Sequence, residues 1–190
     1  ALRNINLTFH KNQIYGLLGR NGAGKTTLLN IISNRIFATS GNVIINDSHH
    51  TDIYPQVTNV YVAGEDNLFP EGAKVSEVFK WTKEFYASFD FKLAQKMAKD
   101  FKLPIHKNIK SLSTGYLTLL KDILALCVNA EFVFFDEPVL GLDANHRDMF
   151  YKYLIECYSK NESTFVVSTH LIDEIANIIE HVIIIDEGQI

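Results

Sequence analysis

At 190 residues, with 47% hydrophobic and 21% charged, the chain lies in the globular range and has the length of one domain with a core of its own. No apolar stretch approaches the length that crosses a bilayer, no charged-then-apolar leader opens the chain at Ala1-Leu2-Arg3, and a net charge of −4 disfavours broad binding to nucleic acid. Cys127 and Cys157 are too few for a disulfide framework and read as buried free thiols in a reducing compartment.

In chain order, Ile5, Leu7 and Phe9 alternate with polar residues as a half-exposed strand does. The apolar run Ile14-Tyr15-Gly16-Leu17-Leu18 reads as a buried strand, and Leu28-Leu29-Asn30-Ile31-Ile32 as the start of a helix. Between them stands Gly19-Arg20-Asn21-Gly22-Ala23-Gly24-Lys25-Thr26-Thr27, which meets the G-x-x-x-x-G-K-[ST] template in full. Small residues here let successive backbone N–H groups curl round a β-phosphate, and the helix N-terminus adds the positive end of its dipole. Gly19, Asn21, Gly22, Ala23, Gly24, Lys25, Thr26 and Thr27 are therefore expected to bind a nucleoside triphosphate. In this reading Lys25 reaches the β- and γ-phosphates and the Thr26 hydroxyl ligates Mg²⁺.

Val43-Ile44-Ile45 and Val60-Tyr61-Val62 read as further short strands. Residues 74–110 then change character. Val75, Val78, Phe79, Phe85, Tyr86 and Phe89 recur at helical spacing, and so do Leu93, Ala94, Met97, Ala98 and Phe101. Asp90 is placed to cap the second helix and Pro104 to stop it. Residues 71–110 carry nine lysines against five acidic residues, a local balance of +4 on a chain that is acidic overall. A solvated helix face accounts for most such runs; the functional alternative is a surface beside anionic headgroups or an acidic partner loop. Ser111-Leu112-Ser113-Thr114-Gly115-Tyr116 opens a helix through Val128, a start suited to an N-cap and to an anion.

Phe132-Val133-Phe134-Phe135 is a buried strand with Asp136 and Glu137 emerging at its end. Asp136 is placed to hold Mg²⁺ and Glu137 to polarise a water in line with a γ-phosphate, which suffices for phosphoryl transfer once substrate is positioned. Ser168-Thr169-His170 follows another apolar strand, Phe165-Val166-Val167, and puts an imidazole at the same sheet edge. His170 is expected to contact the γ-phosphate. The other histidines, including the doublet His49-His50, read as surface. Val182–Ile185 completes the set of buried strands. Strands and helices alternating in this way make an α/β doubly wound core with ligand at the strands' carboxyl ends.

These motifs, in this order, resemble the ATP-binding subunit of an ABC transporter over essentially the whole chain. The resemblance implies a P-loop NTPase core with a mostly parallel sheet, antiparallel N-terminal strands and an inserted all-helical subdomain. Residues 1–64 and 129–190 would form the core and 65–128 the helical subdomain, ending in the signature helix. Leu112–Tyr116 corresponds to the family signature, Gly141-Leu142-Asp143 to the dimer-contact loop and His170 to the switch histidine. The resemblance further implies MgATP hydrolysis with Glu137 and His170 as catalytic residues, and Thr26 and Asp136 as metal ligands. It implies a head-to-tail homodimer or heterodimer in which Ser113 and Gly115 of one subunit complete the ATP site of the other. A separate membrane-spanning subunit, a position on the inner face of the cell membrane and an export role are implied as well, with no nucleic-acid partner. Soluble members of the superfamily, serving DNA repair, chromosome structure or translation, and an ATP-binding regulatory module are the alternatives. The missing Met and the end at Gly188-Gln189-Ile190 are what a piece of a longer protein would show.

The sequence also departs from the family pattern. Gly64 stands where Gln is usual, with Glu65 next; Thr114 and Tyr116 alter the signature; Leu119 and Leu140 replace polar residues. Which of Gly64 and Glu65 fills the glutamine role is left open. The aromatic residue that stacks on adenine in the family is absent from the chain.

Overall fold

The computed structural model describes residues 2–46, 48–49, 59–64 and 66–190. Glu65 and His50, both singled out from the sequence, lie outside the described residues. The elements in chain order are β1 (Ile14–Leu18), α1 (Lys25–Ile32), β2 (Ile44–Ile45), β3 (Ser48–His49), β4 (Val60–Ala63), α2 (Val75–Phe85) and α3 (Phe91–Asp100). There follow α4 (Thr114–Cys127), β5 (Phe132–Asp136), α5 (Ala144–Lys160), β6 (Thr164–Thr169), α6 (Ile172–Ile175) and β7 (His181–Ile184).

The main sheet is five-stranded in the order β4-β5-β6-β1-β7, with every neighbouring pair parallel. Its central strands are buried on both faces, which is why they read as continuous apolar runs rather than alternating ones. Phe135, Phe165 and Val167 face one core shared with α2, α3, α4 and α5. Tyr15, Leu17, Phe134 and Val166 face a smaller core with α1. Register pairs Leu18 with Thr169, Asp136 with Ser168 and Ala63 with Phe135. The residues that follow each strand, Gly19, Glu137, His170 and Gly64, therefore come out at one edge.

The expected N-terminal strand is not a strand. Ile5, Leu7 and Phe9 are half-buried and their neighbours exposed, as alternation requires, but residues 5–9 form no ladder among the described residues. They pack as an extended segment on the smaller core, where Phe9 meets Tyr15 and Phe134 edge-on. The antiparallel pairing that is present joins β2 to β3.

The helices of residues 74–127 follow their apolar spacing. Val75, Val78, Phe79 and Thr82 of α2 and Ala94, Met97 and Ala98 of α3 are buried at i, i+3, i+4 intervals. Glu77 reaches back to the backbone N–H of Lys74, and the Asp90 carboxylate accepts from Leu93 N at 2.9 Å as an N-cap. Pro104 is not what ends α3. The helix closes four residues earlier, with Lys102 left-handed at φ 53° and Leu103 N donating to Ala98 O at 2.8 Å. Cys127 and Cys157 are buried and free; burial pushes the Cys157 thiol up to about 11 and the Cys127 thiol higher still, so neither is reactive.

Candidate functional site

The phosphate loop turns between β1 and α1 because two of its glycines cannot be anything else. A Cβ on Gly19 would lie 2.4 Å from the Ile185 carbonyl oxygen, and Gly24 holds φ at 116° as the residue before α1. Ala23 is buried beneath the loop and accepts from Gly188 N at 2.9 Å. The Lys25 ammonium folds back over the loop it belongs to, donating to Gly19 O at 2.7 Å and lying 3.7 Å from Glu137 Oε1. It is held where an anion would arrive.

Three strand ends converge on that point. Thr26 Oγ1 donates to Asp136 Oδ2 at 2.6 Å across 110 residues of sequence. Ser168 Oγ donates to the other oxygen, Asp136 Oδ1, at 2.8 Å, so the buried carboxylate is fixed from both sides. Glu137 follows with φ 52°, a left-handed backbone that lets two successive carboxylates serve one cleft instead of opposite faces of a strand. Its N–H donates to Ser168 O at 2.9 Å. Its carboxylate accepts from Thr169 Oγ1 at 3.3 Å and sits 3.0 Å from His170 Nδ1. Glu137 is mostly covered, with 12% of its side chain exposed, whereas His170 at 44% is open to solvent and free to turn toward a ligand.

The result is a cleft of about 400 Å³ walled by Asn21, Gly22, Lys25, Thr26, Asp136 and His170 among others. It has two oxygen donors 2.6 Å apart in Thr26 and Asp136, the hard-ligand chemistry Mg²⁺ takes. No group of three or more His, Cys, Asp or Glu side chains among the described residues is arranged to hold a metal by itself. That also fits Mg²⁺, which is bound by one or two protein oxygens together with substrate phosphates and water.

Ser113 and Gly115 are not among the residues walling this cleft. Ser113 caps α4, its Oγ accepting from Tyr116 N at 3.3 Å. Gly115 packs so tightly on the next loop that a Cβ there would lie 2.6 Å from Gly141 O. Thr118 Oγ1 adds a bond to Leu140 O at 3.1 Å. Sequence reading missed what Ser168 and Thr169 do. The signal was present: hydroxyl residues in the last two places of a fully buried strand need partners, and the neighbouring strand end offers carboxylates.

Phe69 is half-buried against the main core, and it is Leu68 beside it that stands out at 67% exposure.

Known proteins resemble this chain in sequence and in fold. The family described as ABC transporter matches residues 2–140. The ABC transporter ATP-binding protein YtrB of Bacillus subtilis is 28% identical over 176 residues, covering 92% of this chain and 60% of its own length. The molybdenum import ATP-binding protein ModC of Vibrio parahaemolyticus is 31% identical over 199 residues, covering 98% of this chain and 52% of its own. The chain thus spans little more than half the length of these relatives. A dimeric structure of a post-hydrolysis state of an ATP-binding cassette, bound to ADP and Pi, superposes with a TM-score of 0.85 at 22% identity. That alignment covers 100% of this chain and 88% of the other and shows the same fold.

Proposed function

The chain belongs to the ABC transporter family, and on that premise we propose that it binds and hydrolyses MgATP to drive transport through a separate membrane-spanning subunit. The observation that carries this reading is the convergence of Lys25, Thr26, Asp136, Glu137 and His170 in one cleft, with Thr26 and Asp136 in direct contact. When ATP enters, Lys25 exchanges its loop carbonyls for the β- and γ-phosphate oxygens. Thr26 and Asp136 would hold Mg²⁺, whose chemistry is to neutralise phosphate charge. Glu137 accepts a proton from the attacking water as the water oxygen bonds to the γ-phosphorus and the bond to the β-γ bridging oxygen breaks, giving ADP and phosphate. His170 leaves Glu137 and donates to the γ-phosphoryl oxygens, where charge gathers.

We infer that Ser113 and Gly115 serve the cleft of a second subunit. In their own chain they do not wall the nucleotide cleft, and α4 presents an N-terminus of the kind that takes an anion. Sedimentation of Glu137→Gln tests this: ATP should convert monomer to dimer, and Ser113→Arg in the same background should prevent it. A protein that stays monomeric at saturating ATP rules the shared site out.

The membrane subunit is inferred to dock on Leu68 and the exposed Trp81 and Phe85 of α2, beside the basic surface of residues 71–110. No helix among the described residues is long and apolar enough to cross a membrane. Leu68→Asp should leave ATP affinity unchanged and release the protein from membranes of cells that carry the partner. Export is our reading from the Leu-Ser-Thr-Gly form of the signature. ModC, named for import, matches almost the full chain, so the direction would be set by the membrane subunit rather than the ATP site.

A further inference from the structure

Two charged residues interrupt an otherwise apolar stretch of α4. From Leu119 to Val128 the helix is buried and apolar except for Lys121, half-buried, and Asp122, 2% exposed. A helix that needed only to fill the core would carry neither. Lys121 Nζ donates to the Gly64 carbonyl at 2.8 Å, so the ammonium spans from α4 to the end of β4. Asp122 Oδ2 has no hydrogen-bond partner. Burial drives its carboxyl well above the usual range, against the opposing charge of Lys121.

Both residues wall a cavity of about 120 Å³ that adjoins the nucleotide cleft and shares Asp136, Glu137 and Leu140 with it. Thr118 and the Gly64 backbone add polar groups to a lining that also includes Ala63, Leu117, Pro138 and Leu140. A dry apolar void would not be built this way. A cavity of this size, with several polar partners, holds water. Water there would lie against Glu137, which lines both the chamber and the cleft.

We propose that this chamber is a water site serving hydrolysis at Glu137, with Lys121 as its positioning residue. Lys121 acts through the Gly64 carbonyl: it pins the end of β4 across from Glu137 and so sets the width and the polar wall of the chamber. The proposal rests on Glu137 being the general base.

Steady-state ATP hydrolysis by the full chain tests it. Lys121→Met keeps the aliphatic stem and removes the donor. It should lower kcat by about 10²-fold, the scale of misplacing a reacting group by an ångström, and leave KM for ATP and equilibrium ATP affinity within about twofold. Lys121→Arg, which keeps a donor, should regain at least about tenfold of that loss. Asp122→Leu, which fills the chamber and removes a polar wall, should also slow kcat at unchanged KM. Parent-like kcat in Lys121→Met or Asp122→Leu overturns the proposal. So does a rise in KM that matches the loss, or an Arg variant as slow as Met. Glu137→Gln measured alongside keeps the two readings apart. If it hydrolyses at the parent rate, the base assignment falls; if it is inactive while Lys121→Met is not slowed, the chamber alone falls.

Discussion

The two ends of the ATP-binding apparatus are built differently within one chain. The phosphate-loop end is wired by long-range bonds: Thr26 to Asp136, Ser168 to Asp136, His170 to Glu137. Each joins residues far apart in sequence, and Thr26, Asp136, Glu137 and His170 wall one cleft. The signature end, Ser113 to Gly115, is wired locally, to its own helix and to the Gly141 loop. On the proposed reading, one end is a catalytic half and the other a rigid face offered to a second subunit. The contrast separates residues that act inside the chain from residues that act outward.

Four substitutions press on this contrast. Lys25→Ala should have the largest effect and abolish nucleotide binding, read by calorimetric titration with MgATP, while the fold survives because its partners are loop carbonyls that water can replace. Retained affinity would mean the catalytic half is not where ATP sits. Gly115→Ala is next. Its new methyl meets backbone at Gly141, so urea unfolding should show a loss of about 1–3 kcal/mol, the usual cost of overpacking. Monomeric ATP affinity should not change. An Ala variant of parent stability would show that the signature end is not braced as described.

Ser168→Ala should weaken Mg²⁺ affinity about tenfold, the low end for a partner that orients a metal ligand, and spare binding of metal-free ATP. The smallest effect is expected at Asp122. Its carboxyl is raised on folding, so the native state holds a proton that the unfolded chain gives up. Stability from that proton is full below the ordinary Asp range and is lost as pH rises toward the raised native value. Asp122→Asn should flatten this decline, so that melting temperatures of variant and parent diverge steadily above pH 4–5. Parallel pH curves would place Asp122 in solvent contact.

Much of the phosphate-loop end was legible in the sequence. The glycine spacing before Lys25, the four apolar residues before Asp136 and the three before Ser168 are each local signals. Parallel pairing brings the strand ends together without further information. What escaped was pairwise. Nothing local tells that Ser168 rather than another hydroxyl holds Asp136, because strand register decides it. Likewise, Phe69 and Leu68 are adjacent and both apolar, and only the path of the loop decides which is buried. Residues 5–9 show the opposite limit. Their alternation was legible and real, but alternation reports which side faces the core and not whether a neighbour strand is there to pair.

If Glu137 is the base, as proposed, its left-handed backbone has a cost that selection cannot remove without removing the chemistry. A side chain held at φ 52° gives up about 1–2 kcal/mol relative to a relaxed conformation, and glycine alone escapes it freely. Any variant chosen for heat resistance is therefore drawn toward Gly, or toward Asn, at this position, and on the proposed role of Glu137 it would no longer turn over ATP. On that reading stability and activity are set against each other at a single peptide unit, and a screen that rewards folding alone would select against Glu137.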